Sequence, residues 1–338
     1  AAAVGYGAKK IIDAYKLKRY MNKSKETLKK ELFSNESFKK YKKNAIDQAK
    51  EALAERRTFI QVEELLPSKP SKDYKEKMKW FKDEAKRLKG DIQYYDTPKF
   101  KQDYKKSLDR WLDDVKFSFS KNKSSLGTYF SDHGLPRTKA PYSSGKLTQT
   151  LNDMPFWGFP GMKNMGPGRI EMLRSEVRNT PLFGKFNIKD IGTTGVHEYK
   201  HAAQDLLRGY RKSAKDKIPW HWDDSLQMQG RPKAIEEARN RDLRTSIWES
   251  PGRHWDKEAK ELSDWYGKEI GPWEARARYL LKPHEISSRL SEYRATKDPR
   301  ARMQLLEVLG NKKNLQDALD NVWGVAPVGL MTQYKKDK

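Results

Sequence analysis

Two histidines four residues apart, with a glutamate directly after the first, stand in the stretch GVHEYKHAAQ, residues 195–204. On a helix His197 and His201 project from one face, one turn apart, and their imidazoles can share one cation. Glu198, advanced by about 100° around the helix, stands beside such a cation and not on it. That suits hydrolysis: neutral imidazoles bind Zn²⁺, the ion lowers the pKa of a bound water, and the adjacent carboxylate takes the proton as the water attacks a carbonyl. The bland reading is a polar helix face that spells the pattern by chance. The surroundings favour the metal: Thr193 or Thr194 can cap a helix here, and Val196 and Ala203 fall on one apolar stripe.

A hydrolytic site needs a third protein ligand and one open position. Cysteine is absent, so the ligand is a histidine or a carboxylate, and no third His follows at the short spacing of H-E-x-x-H-x-x-G-x-x-H. AIEEARNRD offers Glu236 and Glu237, but that run is charged and flanked by Arg, as a solvated helix would be. YLLKPHEISSRLSEYR, residues 279–294, is better suited. Pro283 can open a helix with Glu285 in its first turn, and Ile286, Leu290 and Tyr293 make an apolar stripe. Ser287 and Ser288 are small enough for close approach to the metal helix, and Arg289 can pair with Glu285 or Glu292. Glu285 is the expected third ligand, with His284 or Tyr293 as candidate oxyanion donors.

Together, TTGVHEYKHAAQDLL and YLLKPHEISSRLSEYR resemble the zincin metallopeptidases of the gluzincin type. The resemblance is strongest to the zincin-like proteins of tailed phages and mobile elements, in which a Tyr-rich run and a P-x-E-[IV] motif follow the H-E-x-x-H helix. It covers roughly residues 150–295. The resemblance implies a small mixed sheet over the metal helix, with RIEML at the cleft edge, and a second helix carrying the third ligand. It makes His197, His201 and Glu285 ligands of Zn²⁺ and Glu198 the general base. Lys200 departs from the pattern, which usually has uncharged residues there; its ammonium is expected either to reach solvent from the back of the helix or to face the cavity and weaken metal binding.

Such a site needs elements to position it. With 36% hydrophobic and 34% charged residues and a mean hydropathy of −1.00, much of the chain must be solvated, yet 10 Trp, 16 Tyr and 12 Phe exclude simple disorder. The pattern predicts an α+β, mostly helical fold. Lys9 to Arg57 reads as a helix pair whose apolar stripe is narrow, hence solvated or bound to a partner. After a turn at LPSKPSKD, helices are expected over Tyr74–Leu88, ended by Gly90, and Phe100–Val115. Residues 117–168 read as aromatic, Gly- and Pro-rich ordered loops, RIEMLRSEVRN (169–179) as one or two strands, TPLFGKFNI as a turn and a second extended piece, and everything beyond DIGTTG to about 325 as helical. This divides the chain into a basic helical extension (1–116), a zincin-like domain (117–325) and a basic tail (326–338).

The formal net charge is +24, and residues 1–150 hold 36 of the 70 basic but only 20 of the 46 acidic side chains. A field of that sign favours phosphate backbones or acidic protein surfaces, so nucleic acid or a virion shell protein is an expected partner of residues 1–116. The expected substrate is a protein or peptide strand lying along RIEMLRSE. Two functions follow: a zinc endopeptidase, or a structural or cargo protein of a phage-like particle whose metal site is inactive or structural, and a particle-borne peptidase would combine them. No apolar stretch reaches the ~20 residues of a membrane span. The lack of cysteine fits a reducing compartment or a virion. The start, AAAVGYGAKK, has no Met, as expected of a processed product or of a chain whose beginning is missing. His133, His221 and His254, and the aromatic segments PFWGFPG and PWHWDD, are expected to serve packing or the surface.

Overall fold

The computed structural model describes residues 2–65, 72–120, 125–130, 168–190, 192–207, 232–244 and 251–320. Among these the fold is α+β and mostly helical, with one three-stranded sheet. Four helices come first: α1 (Ala2–Leu32), α2 (Asn35–Glu64), α3 (Lys72–Tyr95) and α4 (Pro98–Asp114). Ser34 separates the first two, its hydroxyl accepting the Ser37 N–H at 3.1 Å as a helix cap does. Thr97 caps α4 in the same way, accepting from Phe100 N–H, with Pro98 in the first turn. Gly90 does not end α3, which continues to Tyr95, and a Cβ added at Gly90 would meet nothing within 4 Å.

The narrow stripe of α1 is solvated only at its start, where Ile11, Ile12 and Tyr15 are exposed. Leu17, Tyr20, Met21, Leu28 and Leu32 are buried, and they share one core with Phe100, Tyr104, Leu108 and Trp111 of α4. The partner of that stripe is the chain itself. The same core continues into the sheet and the helix that carries both histidines, α6 (Thr194–Leu207), through Ile170, Met172, Val196, Tyr199, Ala202 and Ala203. Position 117, where composition changes, falls inside strand β1 (Lys116–Phe119), and the core draws on residues from both sides of it.

Strands β2 (Gly127–Phe130) and β3 (Arg169–Met172) complete the sheet in the order β1-β3-β2, with β1 parallel and β2 antiparallel to β3. RIEM is therefore the central strand and not the cleft edge; both its sides are hydrogen-bonded, and the edge facing α6 belongs to β2. A single turn, α5 (Arg174–Val177), follows β3.

A second core is built from α7 (Pro232–Arg244), α9 (Pro272–Leu280), α10 (Pro283–Thr296), α11 (Pro299–Leu309) and α12 (Lys312–Asp320). Here the predicted stripe of α10 is in place: Ile286 and Leu290 are buried among Leu280, Leu305 and Val308, with Tyr293 packed at the margin. Helix α8 (Arg253–Tyr266) adds a small cluster against Ala275. No helix of the described residues is long and apolar enough to cross a membrane. His133, His221, PFWGFPG, PWHWDD and the tail from 326 lie outside the described residues; His254 is an exposed residue of α8 whose ring lies against Trp255.

Candidate metal centre

Helix α6 is fixed from behind. The Tyr20 hydroxyl donates to Gly192 O and accepts the Gly195 N–H, each at 3.1 Å, so α1 holds the first turn. A Cβ at Gly195 would lie 2.6 Å from Tyr20 Cε1 and would also collide with the Ser24 hydroxyl; only glycine allows this approach. Further along, the buried Trp111 indole donates to Ala202 O at 2.7 Å. Neither threonine caps the helix through its side chain in the expected way: the Thr194 hydroxyl donates to Glu176 at 3.0 Å, and the Thr193 hydroxyl is buried without a partner, while its carbonyl accepts Val196 N–H.

The front of α6 meets the start of α10, where the structure brings His197, His201 and Glu285 together. His197 Nε2 and His201 Nε2 are 3.1 Å apart, His197 Nε2 is 3.3 Å from Glu285 Oε2, and His201 Nε2 is 3.2 Å from Glu285 Oε1. Each imidazole nitrogen faces a different oxygen of the one carboxylate, and the two nitrogens also face each other. This is good ligand geometry. Tetrahedral coordination with bonds of ~2.0 Å sets neighbouring donors about 3.3 Å apart. Two imidazoles and one carboxylate, nearly enclosed, could hold one metal ion through all three donors.

Surrounding groups orient each ligand. His201 Nδ1 faces Gln204 Oε1 at 3.1 Å and the Ser288 hydroxyl at 3.3 Å, and the Gln204 amide donates across to His284 O at 3.1 Å. Ser288 is thus small enough for the close approach and also touches the ligand. His197 Nδ1 faces Glu292 Oε2 at 3.5 Å, long for a hydrogen bond, so the carboxylate acts on this ring mainly through its charge. Glu285 takes Arg289 Nη2 at 3.3 Å and a hydrogen bond from the Tyr279 hydroxyl. Such outer contacts fix ring orientation and ligand basicity.

Charge in the pocket follows from burial and pairing. Burial works against a protonated His197, but the carboxylates of Glu285 and Glu292 outweigh it and push its pKa up to about 9. Burial also opposes an ionised Glu285, yet the charge of His201 and the hydrogen bonds from both histidines hold it well below the usual carboxylate range. Burial keeps the Tyr279 phenol well above its ordinary range, so it remains a proton donor to Glu285.

Glu198 leaves the helix on the side of β2. It is buried, and a Cβ on Gly127 would lie 3.0 Å from Glu198 Cγ and 3.1 Å from its Oε1, so strand and carboxylate are in contact. The Tyr129 backbone N–H donates to the carboxylate. Burial raises the Glu198 pKa, only partly offset by the charges of His197 and His201. This places a buried carboxyl, its pKa raised, beside the group of side chains that could hold a metal ion.

Glu236 and Glu237 are exposed on α7 and do not belong to this group. His284 lies at the mouth, its ring centroid 5.5 Å from that of His201. Tyr293 packs in the second core under Lys297, away from the triangle. Lys200 neither reaches solvent nor enters the cavity: it is fully buried at the back of α6, with Nζ 3.3 Å from Glu31 of α1. Sequence reasoning missed Tyr279, Glu292, Gln204 and Gly127. Only Glu292 carried a readable signal, two helical turns after Glu285 on the same face. Compared with protein-family models, curated proteins and solved structures, the chain gives no match. The site is read from its own donor chemistry.

Proposed function

We propose that this chain is a zinc-dependent peptide-bond hydrolase of gluzincin type, with His197, His201 and Glu285 as ligands and Glu198 as general base. The observation that carries the reading is the convergence of the three side chains, with the two Nε2 atoms 3.1 Å apart and 3.3 and 3.2 Å from the two oxygens of Glu285, and a buried carboxylate beside them. Two imidazoles with one carboxylate suit Zn²⁺ better than Ca²⁺ or Mg²⁺, which take oxygen ligands. Zn²⁺ held there supplies a Lewis acid and a bound water of lowered pKa. Glu198 would be the base beside it, its carboxylate able to take up a proton and to return one to the leaving amine. The Tyr129 N–H keeps the carboxylate aimed, and Gly127 leaves it room. Tyr279 and Arg289 orient Glu285. His284, half-exposed and with its ring 5.5 Å from that of His201, would be a side-chain donor to a developing oxyanion, and an extended substrate is expected along the β2 edge instead of β3.

The test is a chelator-sensitive cleavage assay on an unfolded protein substrate, run with metal analysis. One equivalent of Zn²⁺, lost in His201→Ala, together with cleavage abolished in a Glu198→Gln variant that keeps its zinc, is the expected result. A wild-type protein that takes up zinc stoichiometrically but cleaves no peptide bond would leave a metal-binding protein and remove the enzyme.

A further inference from the structure

Between the backs of α6 and α10 lies one carboxylate that the hydrolytic reading does not use. Glu31 Oε1, near the C-terminal end of α1, is 3.3 Å from Lys200 Nζ on α6, accepts the Ser291 hydroxyl of α10 at 2.8 Å, and is 3.5 Å from Arg294 Nη1, also on α10. Lys200 directly precedes His201 in the chain, and its side chain is 1% exposed; that of Glu31 is 13% exposed. Arg294 in turn holds the end of α12, donating to Ala318 O and to Leu319 O. The node therefore ties the helix with both histidines to the helix with Glu285 by way of a third helix that contributes no ligand. A buried ammonium without a counter-charge is costly, and one a single residue from a ligand would also repel a divalent cation.

We propose that Glu31 is a positioning residue of the metal centre: its carboxylate neutralises Lys200 beside the cation, so that the buried ammonium neither repels the ion nor drives α6 away from α10 and Glu285. This rests on the metal reading above. It also accounts for the charged residue within the H-E-x-x-H stretch, which is tolerated because its partner comes from α1.

The test measures Zn²⁺ affinity of the full chain by competition with a chromogenic chelator, alongside thermal stability of the metal-free form. Glu31→Gln is expected to weaken Zn²⁺ binding about tenfold or more, the size typical of a lost outer contact. The double variant Glu31→Gln with Lys200→Gln, which removes both charges, is expected to return affinity to within about threefold of wild type, although it restores none of the lost contacts. A merely structural role would not produce that rescue. Unchanged affinity in a folded Glu31→Gln, or a double variant as weak as the single, overturns the proposal. Should Glu31→Gln not fold, Ser291→Ala removes only the 2.8 Å hydrogen bond; binding weakened about threefold supports the role and unchanged binding overturns it. Wild-type protein that binds no Zn²⁺ at micromolar concentration refutes the metal reading and this role with it.

Discussion

On α6 the backbone alone sets His197 and His201 one turn apart, with ring centroids 4.7 Å from each other. On α10, Glu285 reaches the same point only because Ile286 and Leu290 seat that helix in the second core, while Ser287 and Ser288 leave no bulk between it and α6. Two ligands come from local geometry and one from tertiary packing. The supports differ accordingly: α6 is held from behind by aromatic side chains of α1 and α4, and α10 by aliphatic contacts with α9 and α11. A ligand pair built into one helix survives small shifts of that helix, whereas the third ligand is lost as soon as the two helices move apart.

Substitutions can break or sharpen this contrast, beginning with the largest effect. Glu198→Gln is expected to lower the cleavage rate about 10²- to 10⁴-fold, the range of a lost general base, with zinc content unchanged. Trp111→Ala removes both a buried aromatic and the hydrogen bond to Ala202 O; urea denaturation of the metal-free chain should show a loss of about 3–5 kcal/mol. Leu290→Ala is expected to cost about 2–5 kcal/mol by the same measurement. Relative to that loss it should weaken Zn²⁺ binding more than Trp111→Ala does, because only Glu285 is displaced. Equal effects of the two variants on zinc affinity would erase the distinction between the helices.

Acidity probes the triangle as a whole. In the metal-free protein His197 keeps its proton until about pH 9, so the ion must displace that proton at any lower pH. Zinc affinity should then rise about tenfold per pH unit toward that value, as expected when one proton is released on binding, and an equilibrium titration across pH 6–9 checks it. The smallest change concerns β2: Gly127→Ala places a methyl against Glu198 and Thr194. Activity is expected to fall about tenfold through overpacking, while zinc binding is retained.

His197, Glu198 and His201 were legible because their relation is local, a fixed number of residues on one helix. Glu285 was legible because a helix-opening proline, an apolar stripe and two serines announced a helix made to pack closely. Glu292 obeys the same period and could have been read. The misreading of Lys200 has a different origin: its counter-charge lies 169 residues away, and nothing in HEYKH refers to it. The buried part of the α1 stripe, from Leu17 on, looked solvated for the same reason, since Trp111 and Tyr199 are remote in sequence. Strand β3 was visible as a strand, but its central position was not, because neighbours β1 and β2 are only four residues each and sit in aromatic loop-like sequence.

The way α1 and α4 seal the rear of α6 bears on how the molecule can be cut down. A shortened polypeptide starting at 117 would present Val196, Tyr199, Ala202 and Ala203 to water as an oily strip, and such strips invite self-association. The smallest soluble carrier of the two imidazoles therefore includes the first and fourth helices, although neither donates an atom to the cation.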